Sequence, residues 1–145
     1  MSDPSETFFT SVGCMDGRVH DPVAIFGKEK FGAQHPDTIT EAGLVGLLAR
    51  LQMPEHSDGG QAKGDNPELL ESIKKKLLIS IEKHHSKGVI VHGHEDCAGN
   101  PVDGVKHKED ILKSAEIVRS LIPEGAEVIP VFVVKNNGAW TAEPL

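Results

Sequence analysis

Short apolar runs alternate with longer stretches whose apolar residues recur at helical spacing. Thr7–Gly13 (TFFTSVG) predicts a short strand. His20 to about Lys30 predicts a short helix, with Asp21 as its N-cap and Pro22 at the first helical position. Asp37–Thr40 predicts a second strand, and Leu44–Leu51, apolar on most sides, a buried helix. Met53–Pro67, with Gly59-Gly60 and Gly64, reads as a loop or flap within the domain, since neither flank could fold alone. From Asn66-Pro67 onward, Leu69, Leu70, Ile73, Leu77 and Ile81 predict a helix up to Ser86, stopped by Gly88. Val89-Ile90-Val91 is continuously apolar, as a central parallel strand is. Ile111, Leu112, Ala115, Val118 and Leu121 predict another amphipathic helix, ended by Pro123 and Gly125, and Val128–Val134 a fourth strand. Asn137-Gly138 marks a turn into a short tail carrying Trp140. This alternation predicts an α/β fold: a mostly parallel four-stranded sheet with helices on both faces, one domain over residues 1–145.

Open sheets of this kind bind ligands beyond the carboxyl ends of their strands. The first predicted strand runs into Cys14-Met15-Asp16-Gly17-Arg18, the second into Glu41-Ala42-Gly43, and the third into His92-Gly93-His94-Glu95-Asp96-Cys97. Both cysteines of the chain therefore fall at one sheet edge. His94 and Cys97, spaced H-x-x-C, can reach one metal ion from a tight turn, and Cys14 can supply a third ligand. Two thiolates and an imidazole suit Zn²⁺, and a three-residue set leaves the fourth position for water or substrate. Asp16 can either take that position or pair with Arg18. His92, two residues from His94, is either a proton relay or a ring that fills space at the strand end. His84-His85 read as cations near a helix C-terminus. His20, His35, His56 and His107 have no partner visible in sequence, and Glu95-Asp96 read as keeping the turn solvated.

Composition narrows the partners. Fifteen Lys and Arg against 22 Asp and Glu give a net charge of −7, which disfavours nucleic acid and anionic membranes. Five Phe, one Trp and no Tyr are too few for a base-stacking platform. Two cysteines, not spaced C-x-x-C, disfavour a disulfide scaffold and a thioredoxin-like site. No apolar run approaches a membrane span, and Met1–Thr10 has no basic segment of the secretory type, so the expected location is the cytoplasm.

The pair C-x-D-x-R and H-x-x-C, in this order, resembles the β-class carbonic anhydrases. Lys87–Gly99 (KGVIVHGHEDCAG) is similar to that family's strand-and-ligand segment, and Asp37–Gly43 (DTITEAG) to its second strand and turn. The resemblance runs from about Thr7 to Val134, and CMDGR and HEDCAGNP are similar to strings of a small-sized branch of the family. It implies Cys14, His94 and Cys97 as zinc ligands and Asp16 and Arg18 as the catalytic pair, with Asp16 a fourth ligand in a closed form. The implied activity is reversible hydration of carbon dioxide to bicarbonate by zinc-bound hydroxide, in a homodimer or larger even assembly; because two thiolates formally neutralise Zn²⁺ and weaken its pull on water, the activity is expected to rise through alkaline pH. Hydrolysis of COS or CS₂, and a non-catalytic zinc protein with Asp16 on the metal, are the alternatives. The chain departs from the family in reading Thr40-Glu41-Ala42-Gly43 where an Arg-Asn-Ala-Gly string is common. Ala98 also precedes Gly99, and no N-terminal helical arm is evident.

Overall fold

The apolar runs become strands and the helical spacings become helices in the computed structural model, which describes residues 5–51 and 66–145. In chain order these are β1 (Phe8–Gly13), α1 (His20–Phe31), β2 (His35–Thr40), α2 (Leu44–Leu51), α3 (Pro67–Leu78), β3 (Val89–His94), α4 (Gly104–Leu121), β4 (Val128–Asn136) and β5 (Ala139–Pro144). The loop expected over Met53–Pro67 lies, as far as residue 65, outside the described residues.

The sheet order is β2-β1-β3-β4-β5. The first four strands run parallel, and β5 pairs antiparallel with β4. The sheet thus has five strands, not the four expected, because the tail with Trp140 is itself a strand. Asn137 and Gly138 both have positive φ (51° and 80°), the geometry of a tight hairpin turn. The strand behind the turn alternates partly buried and exposed residues and ends in Pro144, so it has no apolar run to betray it.

Each face of the sheet carries its own core. On one, α1 brings Val23 against Phe9, Ile90, Val131 and Val133. On the other, Leu44 and Leu48 of α2, Ile73 and Leu77 of α3, and Ile111 and Val118 of α4 cover Val12, Ile39, Val89, Val91 and Phe132. Burying each such Leu or Ile contributes about 1.5–3 kcal/mol. Between α2 and α4, buried Ser114 donates its hydroxyl hydrogen to the carbonyl of Val45 at 2.9 Å.

The helix expected to reach Ser86 is α-helical to Leu78 and widens into a π-helical turn over Ile79–Lys83. There Ser80 donates to the Asp37 carboxylate of β2 at 2.7 Å and lies 2.6 Å from the Thr10 hydroxyl. No helix among the described residues is long and apolar enough to cross a membrane.

Parallel register positions the site. Gly13 of β1 lies beside Thr40 of β2 and His92 of β3. The chain segments that follow these strands therefore leave the sheet at one edge.

Candidate metal centre

Cys14 follows the last residue of β1, His94 is the last residue of β3, and Cys97 lies in the turn beyond it. All three are buried, and their ligand atoms lie within 4.8 Å of one another. The strand does persist through His92-Gly93-His94, which carries both imidazoles beyond the apolar Val89–Val91 run. His94 is fixed by its own chain: Nδ1–H donates to the Glu95 carbonyl at 2.8 Å. Nε2 is left with its lone pair, buried and without a hydrogen-bond partner among the described residues.

The two sulfurs stand 3.8 Å apart as free cysteines. Two thiolates on one tetrahedral zinc ion, each at about 2.3 Å, are about 3.8 Å from each other. The orphaned imidazole nitrogen, the sulfur spacing and the Cys₂His chemistry together fit a zinc ion.

The three groups perturb one another's protonation. Burial pushes the Cys14 thiol up, but contact with His94 and the backbone N–H groups of Gly43 and Asp16 outweighs it and brings the pKa down to about 7. Burial and the neighbouring Cys14 sulfur push Cys97 up. Burial opposes protonation of His94, yet the Cys14 sulfur and the Glu95 carbonyl hold its pKa above the ordinary value. A metal bound here would displace the protons on Cys97 and His94, so its binding would be linked to pH.

The Gly43 N–H reaches Cys14 Sγ at 3.3 Å. Gly43 has φ 62°, and a Cβ there would lie 2.3 Å from the Gly99 carbonyl oxygen. The turn after β2 and the turn after Cys97 thus pack backbone to backbone. A Cβ on Gly99 would in turn lie 2.6 Å from the Gly43 nitrogen, so the contact excludes a side chain from both sides.

Asp16 and Arg18 form a fork. Arg18 Nε donates to Oδ1 at 3.0 Å and Nη2 to Oδ2 at 2.7 Å, while the Arg18 backbone N–H donates to Oδ1 at 2.9 Å. The Arg18 side chain holds the Asp16 carboxyl well below the usual carboxylate range, so it is ionised at any physiological pH. Its Oδ2 lies 3.8 Å from His94 Nε2. Asp96, expected only to solvate its turn, instead accepts from Arg18 through both Oδ2 (3.1 Å) and its carbonyl (3.0 Å).

A cavity of about 430 Å³ opens beside Cys14 and Asp16, with Ser11, Thr38, Thr40 and His92 at the sheet and Val19 and Val23 opposite. His92 is buried, and its ring occupies the space where a Gly13 Cβ would stand. Burial, and then the His94 charge, push its pKa down to about 3.

Of the remaining histidines, His20 also lines this cavity, and the His107 ring lies 6.4 Å from that of His94. His107 is buried 5.6 Å from the Phe132 ring, with burial lowering its pKa. His35 pairs with Glu6. His84 stacks on Phe8 and bonds through Nδ1 to Asp37 at 2.7 Å, a tertiary role beyond that of a helix-end cation. His56 is outside the described residues.

A family model described as "Putative carbonic anhydrase" matches residues 4–144. The chain belongs to this carbonic anhydrase family. No curated protein shows significant sequence similarity to it. Among solved structures, carbonic anhydrase from Streptococcus mutans is similar at 15% identity and a TM-score of 0.50, over 92% of this chain and 80% of that one. The β-carbonic anhydrase CafA of Aspergillus fumigatus is similar at 12% identity and a TM-score of 0.52, over 97% of this chain and 75% of that one. The fold is that of the β-carbonic anhydrases, with the Cys14–His94–Cys97 cluster at the carboxyl edge of its sheet.

Proposed function

We propose that this carbonic anhydrase family member is a zinc-dependent lyase that hydrates carbon dioxide reversibly to bicarbonate and a proton. The observation that carries this reading is the meeting of Cys14, His94 and Cys97 with a carboxylate, Asp16, held 3.8 Å from the free imidazole nitrogen. Cys14 Sγ, Cys97 Sγ and His94 Nε2 would hold the metal. Bound zinc supplies Lewis-acid activation of water near neutral pH.

The rest is work for the protein's own residues. Asp16, ionised and fixed by Arg18, accepts a hydrogen bond from the attacking water at a carboxylate oxygen and orients it. Arg18 acts through Asp16 by holding both of its oxygens, which also speaks against Asp16 as a permanent metal ligand. Met15, Val19 and Val23 give the cavity apolar walls, which suit an uncharged linear substrate. The reading includes a homodimer in a reducing, cytoplasmic setting: β2 is an outer strand of the sheet and also lines the cavity.

Stopped-flow hydration at pH 8–9 tests the proposal on protein shown to carry one zinc per chain. A rate above buffer is expected, falling at least about 100-fold in Asp16→Ala. A fully zinc-loaded protein with no rate above buffer would refute it.

A further inference from the structure

The Arg18 guanidinium is held from three directions. Asp16 grips it as a fork. Asp96 accepts from it through carboxylate and carbonyl. The Trp140 ring, the one tryptophan of the chain, lies against it with 4.9 Å from Cζ to the ring centroid. Only the first of these contacts belongs to the C-x-D-x-R string.

We propose that Trp140 and Asp96 are positioning residues: they hold Arg18 in the plane that keeps the Asp16 carboxylate beside the metal ligands but short of joining them. This rests on the metal-site reading above. Two donors on one tetrahedral ion, a nitrogen and an oxygen each at about 2.1 Å, stand about 3.4 Å apart. Asp16 Oδ2, at 3.8 Å from His94 Nε2, is a few tenths of an ångström outside that separation. What keeps it there is the hold of Arg18.

A long arginine side chain, 41% exposed, has much rotamer freedom to lose, and an exposed ion pair alone restrains it weakly. The flat indole face and the second acceptor supply the missing restraint. Both are placed by backbone. Asp96 has φ 59°, a left-handed kink between two of the metal ligands. Trp140 stands on β5, just after the Asn137-Gly138 turn, and is partly buried against the core under α1. The fifth strand thereby reaches the reactive edge of the sheet although it contributes no ligand.

The test compares Trp140→Leu, which keeps apolar bulk without the aromatic face, Trp140→Phe, which restores a face, and Asp96→Gly, which removes the side-chain acceptor and tolerates the left-handed backbone. Zinc affinity of the full chain is read by competition with a chromophoric chelator, with thermal unfolding alongside. Trp140→Leu and Asp96→Gly are each expected to bind Zn²⁺ about 3- to 5-fold more tightly, as the released Asp16 joins the ligands. The gain should vanish in an Asp16→Asn background, and Trp140→Phe should stay near wild type. Unchanged affinity in both variants overturns the proposal. So does a gain that survives Asp16→Asn, or a Trp140→Phe that behaves like Trp140→Leu. If Trp140→Leu does not fold, Asp96→Gly with and without Asp16→Asn decides alone. Wild-type protein that binds no zinc overturns this proposal and the metal reading together. Zinc binding without carbon dioxide hydration overturns only the activity.

Discussion

Gly43 answers two demands at once. Its φ of 62° is left-handed, and the Gly99 backbone fills the space a side chain would need. Its N–H meanwhile points at Cys14 Sγ. Gly43→Ala is therefore expected to lose at least about 2 kcal/mol of stability, from backbone strain and the displaced Gly99 turn. Urea unfolding measures that loss, and chelator competition should show weaker zinc binding in the same variant. The metal-ligand candidates were legible because CMDGR and HEDC place cysteine and histidine at strand ends. Asp96 was not. Its partner Arg18 is 78 positions away, and an acidic residue in an exposed turn looks the same whether or not an arginine folds onto it.

The link between β2 and the π-helical turn is polar where its neighbours are apolar. Asp37 Oδ2 accepts from buried Ser80 and from His84, and Ser80 touches Thr10, which in turn donates to Ser86 at 2.7 Å. Removing the carboxylate takes away the shared acceptor of Ser80 and His84. Asp37→Ala should cost about 1–3 kcal/mol, seen as a lower denaturant midpoint with zinc stoichiometry unchanged. Helical spacing announced α3 and α4 correctly because each buries an apolar stripe against the sheet. The widening at Ile79–Lys83 and the strand β5 escaped the same reasoning. Their conformations are stabilised by partners on other elements, β2 in one case and β4 in the other.

Across the molecule, the candidate ligands join the loop after β1 to the end of β3 and its turn, so metal binding is folding energy as well as chemistry. Free zinc at 1,000 times its Kd would add about 4 kcal/mol. Chelation should then lower the melting temperature by on the order of 10 °C in a calorimetric scan, and added zinc should restore it. The proposed homodimer makes a separate prediction. Light scattering should give about 31 kDa, twice the 15.6 kDa of one chain, and a lone chain at micromolar concentration would leave β2 an open edge.

Local patterns settled much in advance. Continuous apolar runs, helical spacing and turn residues depend on neighbours within a few positions, and they were enough for an α/β chain with cysteine and histidine at its strand ends. Folding alone decided what those ends do together. Cys14 and Cys97 are 83 positions apart and become neighbours because β1 and β3 pair in parallel register. Arg18 meets Asp96 and Trp140 only because the β3 turn and β5 arrive at the same edge. Such contacts are set by the packing of whole elements, and no short stretch of sequence contains both partners.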